Sequence, residues 1–254
     1  MIEELHGKTA LITGGGGGIG RATALALARQ GARIASVDLD GDAAQETAKA
    51  IEANGGTSWA SMLDVTDSAA VSAVIGEAEC ALGPIDCLVN IAGIYRLIDA
   101  ENITDEDWRR MISIHVDGTF FCCRAALPGM IARGSGAIVN TASLHAIRGQ
   151  AGAVHYSAAK GAIVGLTKAL AREKASSGIR VNAVAPGPID TPLFRGAIPP
   201  GEADTLIAKR TSIIPMGRLG RVDEVAGVIA FLLSDAASYM TGQIVTIDGG
   251  EVMN

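Results

Sequence analysis

A run of glycines near the start of the chain constrains its fold more than any other feature. Residues 13–20 read TGGGGGIG, directly after the apolar run 8–13 and directly before the helical pattern of 21–30. Glycines here let the backbone turn tightly between a strand and a helix and approach a ligand closely. The N-terminus of the helix then offers unpaired N–H groups to an anion such as a pyrophosphate. Without that flanking strand and helix, the glycines would equally suit a flexible linker.

An acidic residue follows the glycines at the spacing that a dinucleotide fold requires. Asp38 ends the second apolar run, 33–38, and lies twenty residues after Gly18. A carboxylate at this place accepts hydrogen bonds from the adenosine ribose hydroxyls. At close range it also repels a 2′-phosphate, by on the order of a few kcal/mol. We therefore expect a dinucleotide cofactor, with NAD favoured over NADP.

The rest of the chain alternates between short apolar runs and helical patterns. The apolar runs lack strict polar alternation, as expected when helices cover both faces of a parallel sheet. The pattern predicts an α/β fold, a single-domain, Rossmann-like, doubly wound parallel sheet with helices on both faces, over residues 1–254. Predicted strands are 8–13, 33–38, 58–64, 85–90, 136–143, 180–185 and 243–248; predicted helices are 21–30, 42–53, one ending near 83, 104–130, 156–174 and 223–234.

One long segment interrupts this alternation. Residues 186–215 contain six prolines and are expected to be irregular. A long loop in a compact domain is usually functional or disordered. We interpret residues from about 191 to 212 as a lid over a site.

Charge and composition argue against several classes of function. The net charge of −6 is wrong for a protein that binds nucleic acid, which needs a basic face. The acidic N-terminus is unlike a secretory signal, and the apolar stretch 225–233 is too short to cross a bilayer. The four cysteines lack the spacing of metal ligands. We expect a cytoplasmic protein that binds no nucleic acid, membrane or metal.

Three polar residues in the second half of the chain suit proton transfer. Tyr156 and Lys160 are four apart in YSAAK, so a helix places them on one face. A tyrosine pKa of about 10 is too high for a base at neutral pH, and a neighbouring ammonium lowers it. Ser143 can hydrogen-bond a substrate oxygen where negative charge builds up. Alone, the Tyr-Lys pair would be an ordinary exposed pair; Ser143 and the glycine loop favour a catalytic role.

With NIAG at 90–93, APGPIDTP at 185–192 and TIDGG at 246–250, these motifs resemble the short-chain dehydrogenase/reductase family over essentially the whole chain. The resemblance implies an NAD-dependent oxidoreductase that moves a hydride between nicotinamide and a secondary alcohol or ketone. It makes Tyr156 the general acid/base. NADP-preferring members often carry a basic residue where this chain has Gly17 or Leu39, so these positions also favour NAD.

The resemblance extends to the residues around cofactor and substrate. It implies that Lys160 also holds the nicotinamide ribose. Asp64 and Val65 should flank the adenine, and Ile189 and Thr191 should meet the nicotinamide carboxamide. The expected cofactor-binding residues are Gly14, Gly17, Gly18, Ile19, Gly20, Asp38, Asp64, Val65, Asn90, Ala92, Gly93, Tyr156, Lys160, Pro186, Gly187, Ile189 and Thr191. The expected catalytic residues are Ser143, Tyr156, Lys160 and His115. The expected substrate contacts are Ser143, His145, Gln150 and Tyr156, within a wider pocket of Ile94, Tyr95, Arg96, Leu144 and Phe194.

Two positions depart from the family pattern. NIAG replaces the commoner NNAG, a change that we expect to be mild. His115 stands where the family usually has an asparagine that helps to place a water beside the lysine. In one interpretation, His115 is a buried histidine bonded to a backbone carbonyl. In the other it takes over the relay, which would add a titration near neutral pH.

The substrate stays open, because a fold does not fix a function. A sugar or polyol, a hydroxy acid, a steroid-like alcohol and a 3-oxoacyl thioester all fit, the last making the chain an acyl-carrier-protein type reductase. An epimerase or dehydratase that retains its NAD ranks lower, since those relatives carry a larger substrate region. A non-catalytic nucleotide sensor would be expected to lose Ser143, Tyr156 or Lys160. The resemblance also implies a homotetramer, with helices 105–130 and 156–174 and the C-terminal strand at its interfaces.

Overall fold

Seven strands form one parallel sheet, as the apolar runs predict. The computed structural model describes residues 5–198 and 201–253. Neighbouring strands all run parallel. The strands are β1 (Thr9–Thr13), β2 (Arg33–Asp38), β3 (Ser58–Met62), β4 (Cys87–Asn90), β5 (Gly136–Thr141), β6 (Ile179–Pro186) and β7 (Ile244–Ile247). Their order across the sheet is β3-β2-β1-β4-β5-β6-β7.

Helices join the strands and cover both faces of the sheet. The predicted helix 104–130 is present as one continuous run, but five of its residues, Ser113–Asp117, form a π-helical stretch that the sequence did not predict. The α-helices are α1 (Gly18–Arg29), α2 (Gly41–Glu52), α3 (Ser68–Leu82), α4 (Asp105–Ile112), α5 (Gly118–Arg133), α6 (His145–Arg148), α7 (Val154–Lys174), α8 (Pro192–Gly196), α9 (Ala203–Thr211) and α10 (Val222–Leu233). Within the described residues, no helix is both long and apolar enough to cross a bilayer.

The core lies in two layers, one on each face of the sheet. Helices α1, α2 and α10 contribute to the layer that includes Ile12, and α3, α5 and α7 contribute to the layer that includes Leu11. Successive strand residues point to opposite faces. Because both faces are covered, both residues are fully buried, which explains why the strands show no polar alternation.

The N-terminal cap of α4 differs from the usual capping box. Thr104 accepts a hydrogen bond from the Asp107 backbone N–H at 3.1 Å, as expected at the start of α4. The Asp107 carboxylate, however, accepts from the Thr104 hydroxyl at 2.6 Å. In the usual box, the acidic side chain returns to the backbone of the capping residue. The cap is therefore closed between the two side chains.

The proline-rich segment is not uniformly irregular, and that expectation was wrong. It contains α8 and α9. Pro192 stands at the first turn of α8, where its missing N–H costs no hydrogen bond, and Thr191 caps this helix through the Phe194 N–H at 3.1 Å. Pro199 and Pro200, also inside the predicted lid, lie outside the described residues.

The strand order reverses at β1, which has β2 on one side and β4 on the other. At such a point, the loops that follow the two central strands diverge and leave a crevice at the carboxyl edge of the sheet. The glycine loop follows β1, and the segment 91–93 follows β4. The predicted site residues after β2, β5 and β6 belong to the same edge.

Candidate active site

Close packing explains two of the glycines at the junction of β1 and α1, and a third leaves the start of the helix open. Gly14 has a φ of +68°, and a Cβ there would lie 3.0 Å from the backbone nitrogen of Ala92. A Cβ on Gly20 would overlap the carbonyl oxygen of Gly14. At Gly17, just before α1, a Cβ would have no atom within 4 Å, so the helix begins at an open surface. Gly17 has no side chain to cap α1. The backbone N–H groups in the first turn of α1 therefore suit a pyrophosphate.

Asp38 lies beside this loop at the end of β2. One carboxylate oxygen accepts from the Gly16 N–H at 2.9 Å, and the other accepts from the Asp40 N–H at 3.0 Å. Each oxygen keeps a second acceptor position, so the carboxylate is held in place and can still receive ribose hydroxyls. The next residue, Leu39, is 66% exposed and offers no positive charge to a 2′-phosphate.

The residues expected around an adenine follow β3. The Leu63 N–H donates to the Asp38 carbonyl at 2.7 Å, which holds the ends of β2 and β3 side by side. Asp64 accepts from the backbone and hydroxyl of Thr66, at 2.9 and 2.7 Å. Val65 is buried. The structure therefore brings Asp64 and Val65 to the same edge as Asp38.

Asn90 points away from the crevice. Its buried amide donates to the Asn140 side-chain oxygen at 2.9 Å, and the Asn140 amide donates to the Thr167 hydroxyl at 3.0 Å. This chain of bonds links β4, β5 and α7. Only the backbone of Asn90 is left to line the crevice. Sequence reasoning missed Asn140 and Thr167, although polar residues inside otherwise apolar buried segments were a usable signal.

Thr13 is a second residue that sequence reasoning missed. Its hydroxyl oxygen accepts from the backbone N–H groups of Ile91 and Ala92, at 3.1 and 3.2 Å. The last residue of β1 therefore holds the segment that follows β4. A hydroxyl at the end of a strand, just before the glycines, was the available signal.

The structure brings the three predicted catalytic side chains together. The Lys160 ammonium nitrogen lies 5.7 Å from the centre of the Tyr156 ring and donates to the Thr141 carbonyl at 2.6 Å. Ser143 lies two residues beyond the end of β5, which is shorter than predicted. Its hydroxyl accepts from the His145 N–H at 3.1 Å. Ser143, Tyr156 and Lys160 thus meet where β5 and α7 adjoin.

Burial governs the ionisation of this group. It raises the pKa of Tyr156 to about 12, and the Ser143 hydroxyl partly opposes the rise. It lowers the pKa of Lys160 from 10.5 to about 7. The expectation that Lys160 lowers the pKa of Tyr156 is therefore wrong for the chain by itself, because removal from water disfavours both charged forms. At neutral pH, Tyr156 is a phenol and can donate a proton.

Three aromatic rings pack against the Tyr156 ring in edge-to-face arrangements. The ring centres of Tyr95, His115 and His145 lie 4.9, 5.4 and 5.9 Å from the Tyr156 ring centre, at angles of 78°, 86° and 77°. These contacts fix the orientation of the phenol. Sequence reasoning named Tyr95 only as part of a pocket, and its contact with Tyr156 was not foreseen.

His115 lies in the π-helical stretch and is 2% exposed. Its Nε2 atom is 2.8 Å from the Ile94 carbonyl oxygen and 3.1 Å from the Ile94 nitrogen. Depending on the tautomer, the neutral ring donates to the carbonyl or accepts from the N–H, one bond at a time. Its Nδ1 atom is buried without a partner in the described residues. Burial, and then the charge of Lys160, holds the pKa of His115 well below 6.5. This disfavours the interpretation in which His115 titrates near neutral pH, because a buried imidazole beside a cation resists protonation.

The segment after β6 packs against the same crevice. β6 ends at Pro186, and a Cβ on Gly187 would lie only 2.7 Å from the Cβ of Asp248. Ile189 is buried. The Thr191 methyl group lies 3.5 Å from the position of a Cβ on Gly18. The first residue of the predicted lid therefore lies beside the glycine loop.

Three comparisons relate the chain to known proteins. A family model described as enoyl-(acyl carrier protein) reductase matches residues 15–251. The 3-oxoacyl-[acyl-carrier-protein] reductase of Thermotoga maritima is 40% identical over 250 residues, covering 98% of this chain and all 100% of that protein. Cyclohexanol dehydrogenase from a strain of Acinetobacter is 40% identical over 250 residues, covering 98% and 96%. A crystal structure from Beutenbergia cavernae, described as an NAD(P) dependent gluconate 5-dehydrogenase with NADP bound at low occupancy, matches with a TM-score of 0.92 at 38% identity over 99% of both chains.

Proposed function

The chain belongs to the short-chain dehydrogenase/reductase family, and from that premise we propose which of its residues carry the reaction. It is an oxidoreductase for secondary alcohols or ketones with a nicotinamide cofactor. We propose Tyr156 as the general acid/base. The observation that supports this role is its position, with the Lys160 nitrogen 5.7 Å from its ring centre and the Ser143 hydroxyl beside it.

Each residue has a separate task in this proposal. When bound, the nicotinamide supplies the hydride acceptor for oxidation or the hydride donor for reduction. Tyr156 gives its hydroxyl proton to the substrate oxygen during reduction and removes the alcohol proton during oxidation. Ser143 donates a hydrogen bond to the same oxygen. Lys160, held by the Thr141 carbonyl, supplies positive charge when the tyrosine ionises, because a neighbouring phenolate favours the protonated ammonium that burial alone disfavours.

We propose NAD as the preferred cofactor. The Asp38 carboxylate stands at the end of β2, fixed by the Gly16 and Asp40 N–H groups, and would repel a 2′-phosphate. The comparisons leave the choice between NAD and NADP open, since the similar structure from Beutenbergia holds NADP. The preference therefore rests on Asp38, supported by the absence of a basic side chain at Gly17 and Leu39.

Reduction of a 3-oxoacyl thioester is the second candidate activity. The reductase from Thermotoga maritima is as similar to this chain as cyclohexanol dehydrogenase is, at 40% identity over 250 residues. The chemistry at the carbonyl is the same in both cases. The two activities differ in what must lie beyond the reacting carbon, so only substrate comparison separates them.

We further propose that the 254 residues act as one cytoplasmic unit and assemble as a homotetramer. The apolar outer surface of α5 supports assembly, because Phe120 and Ile131 are 40% and 41% exposed there. They line a groove with Leu127 and Leu170, between α5 and α7. These are the helices that the family resemblance places at interfaces.

A cofactor and substrate panel tests the proposed function. The purified protein is mixed with NAD or NADP and secondary alcohols, including cyclohexanol and gluconate, and separately with NADH or NADPH and a 3-oxoacyl thioester. Absorbance of the reduced nicotinamide reports turnover. We expect oxidation of at least one alcohol with NAD, and none with Tyr156→Phe. Binding of NADH without turnover of any substrate would instead favour a nucleotide sensor.

A further inference from the structure

Two arginines from distant parts of the chain converge on one buried carboxylate. Arg148 ends α6, Arg210 lies near the end of α9, and Glu251 follows β7. One nitrogen of Arg148 lies 2.9 Å from a Glu251 oxygen, and one nitrogen of Arg210 lies 2.7 Å from the other. The side chains of Arg148, Arg210 and Glu251 are 32%, 19% and 4% exposed. We call Arg148 and Arg210 the arginine pair.

The arginine pair carries more charge than its partner can balance. Within residues 5–198 and 201–253, Glu251 is the only acidic side chain within 4 Å of either guanidinium. Two cations therefore face one anion. The Nη1 atom of Arg210 is buried and has no partner among the described residues. Since a buried, unpaired donor on a charged group is costly, this nitrogen is suited to a second anion.

The excess charge lies at the reacting end of the crevice. Arg148 ends the short helix α6 that His145 begins, and the ring centres of Tyr95 and His145 lie 4.9 and 5.9 Å from that of Tyr156. Burial raises the pKa of Tyr95, and the positive charge of the arginine pair partly opposes this rise. Burial, and then the arginine pair, lowers the pKa of His145 to about 4, so this histidine is neutral and adds no charge. Gln150, an expected substrate contact, is tied to Arg148 by a 3.3 Å hydrogen bond.

We propose that this enzyme prefers secondary alcohols or ketones that carry a carboxylate, and that the arginine pair binds this group. The inference rests on the proposed function, because it places the carboxylate in the pocket beside Tyr156. A guanidinium is planar and can donate two parallel hydrogen bonds to a carboxylate. A neutral substrate leaves the buried donor unpaired, which is how a polar pocket discriminates strongly against an analogue that lacks one group.

Matched acids and amides test the preference through turnover. The probes are 3-hydroxybutanoate against 3-hydroxybutanamide, and 4-hydroxycyclohexanecarboxylate against its carboxamide, all stereoisomers included, with NAD. We expect kcat/KM to be at least about tenfold higher for the acid of each pair that is turned over. Arg210→Met should reduce this ratio about tenfold. Lys209→Met is the matched control, because it removes an exposed charge from the same helix and should leave the ratio unchanged. Equal kcat/KM for acid and amide in the wild type would overturn the proposal.

A binding measurement separates this inference from the proposed function. Tyr156→Phe protein with NADH is titrated by calorimetry with cyclohexanecarboxylate and cyclohexanecarboxamide, which have no hydroxyl to react. We expect the acid to bind at least about tenfold more tightly, and Arg148→Met in the same background to remove the difference. This result would support the arginine pair even if no alcohol were oxidised. If the wild type oxidises alcohols but the Tyr156→Phe protein binds acid and amide equally, the carboxylate proposal is refuted and the proposed function stands.

Discussion

The backbone of Gly93 lies directly against the imidazole ring of His115. A Cβ at position 93 would overlap the His115 Cε1 atom and come within 2.9 Å of Nδ1. The ring in turn contacts the Ile94 backbone through Nε2. The π-helical stretch and the segment after β4 therefore fit each other at this point, and the glycine and the histidine constrain one another.

This contact predicts that Gly93 and His115 are energetically coupled. Gly93→Ala should lower the free energy of unfolding by about 1–3 kcal/mol, the usual cost of overfilling a packed site. In a His115→Ala background the same change should cost clearly less, because the ring is gone. Chemical denaturation of the four proteins gives the coupling energy. Identical costs in both backgrounds would mean that the ring does not constrain position 93.

The buried state of His115 predicts that it does not shape the pH profile. Burial holds its pKa well below 6.5, so it stays neutral around pH 7 and the fall in activity towards acid pH comes from other groups. His115→Asn should keep the acidic limb of the kcat profile unchanged. His115→Leu, which leaves the Ile94 backbone without its partner and removes the ring packed against Tyr156, should reduce kcat by roughly tenfold, because the phenol loses a contact that orients it. If the acidic limb of the kcat profile is flatter in His115→Asn than in the wild type, His115 titrates as part of a proton relay.

The raised pKa of Tyr156 predicts different pH trends for oxidation and reduction. Oxidation needs the phenolate, so its rate should rise from pH 7 towards pH 10, while reduction uses the phenol and should not rise. Tyr156→Phe should lose about 10²–10⁴-fold in kcat in both directions and keep its affinity for NADH. Initial rates with both cofactor forms, and NADH fluorescence titration, measure these effects. A phenylalanine variant with wild-type rates would refute the assignment.

Asp38 predicts the choice of cofactor. We expect kcat/KM with NAD to exceed that with NADP by at least about tenfold, which requires only about 1.4 kcal/mol. Asp38→Ala should narrow the gap, since it removes the charge that repels a 2′-phosphate. Asp40→Ala is a suitable control because Asp40 caps α2 nearby and is also acidic. Equal use of both cofactors by the wild type would contradict the argument.

Buried Lys160 predicts a pH-dependent stability. Its pKa is about 7 in the folded protein against 10.5 ordinarily. Between these values the unfolded chain holds a proton that the folded chain has released, so the free energy of unfolding rises with pH. The contribution is at most about 1.4 kcal/mol per pH unit. Urea denaturation between pH 7 and 8.5 should show a smaller slope for Lys160→Met than for wild type. Parallel slopes would mean that Lys160 stays charged when buried.

Local pattern predicted most of the elements but not their relations. The strand 33–38, the strand predicted at 136–143 and observed at 136–141, and the turn after 13 follow from apolar runs and glycines, which act over a few residues. The Arg148–Glu251–Arg210 cluster joins residues that lie far apart in the chain, and no spacing rule reports such a contact. The pKa values of Tyr156 and Lys160 depend on burial, which needs the folded environment. Sequence therefore named the candidate reacting groups, which the structure brings together, and misjudged their ionisation.

The hydroxyl of Thr13 has a mechanical consequence. By accepting from both Ile91 and Ala92, it ties the end of β1 to the segment after β4, so we expect the two inner walls of the crevice to move together. The distance between these two walls should then change little. We therefore expect movement that admits a substrate to come from the opposite wall, the segment that begins after Pro186 and lies beside the glycine loop at Thr191. The site would then open by movement of one wall while the other stays in place.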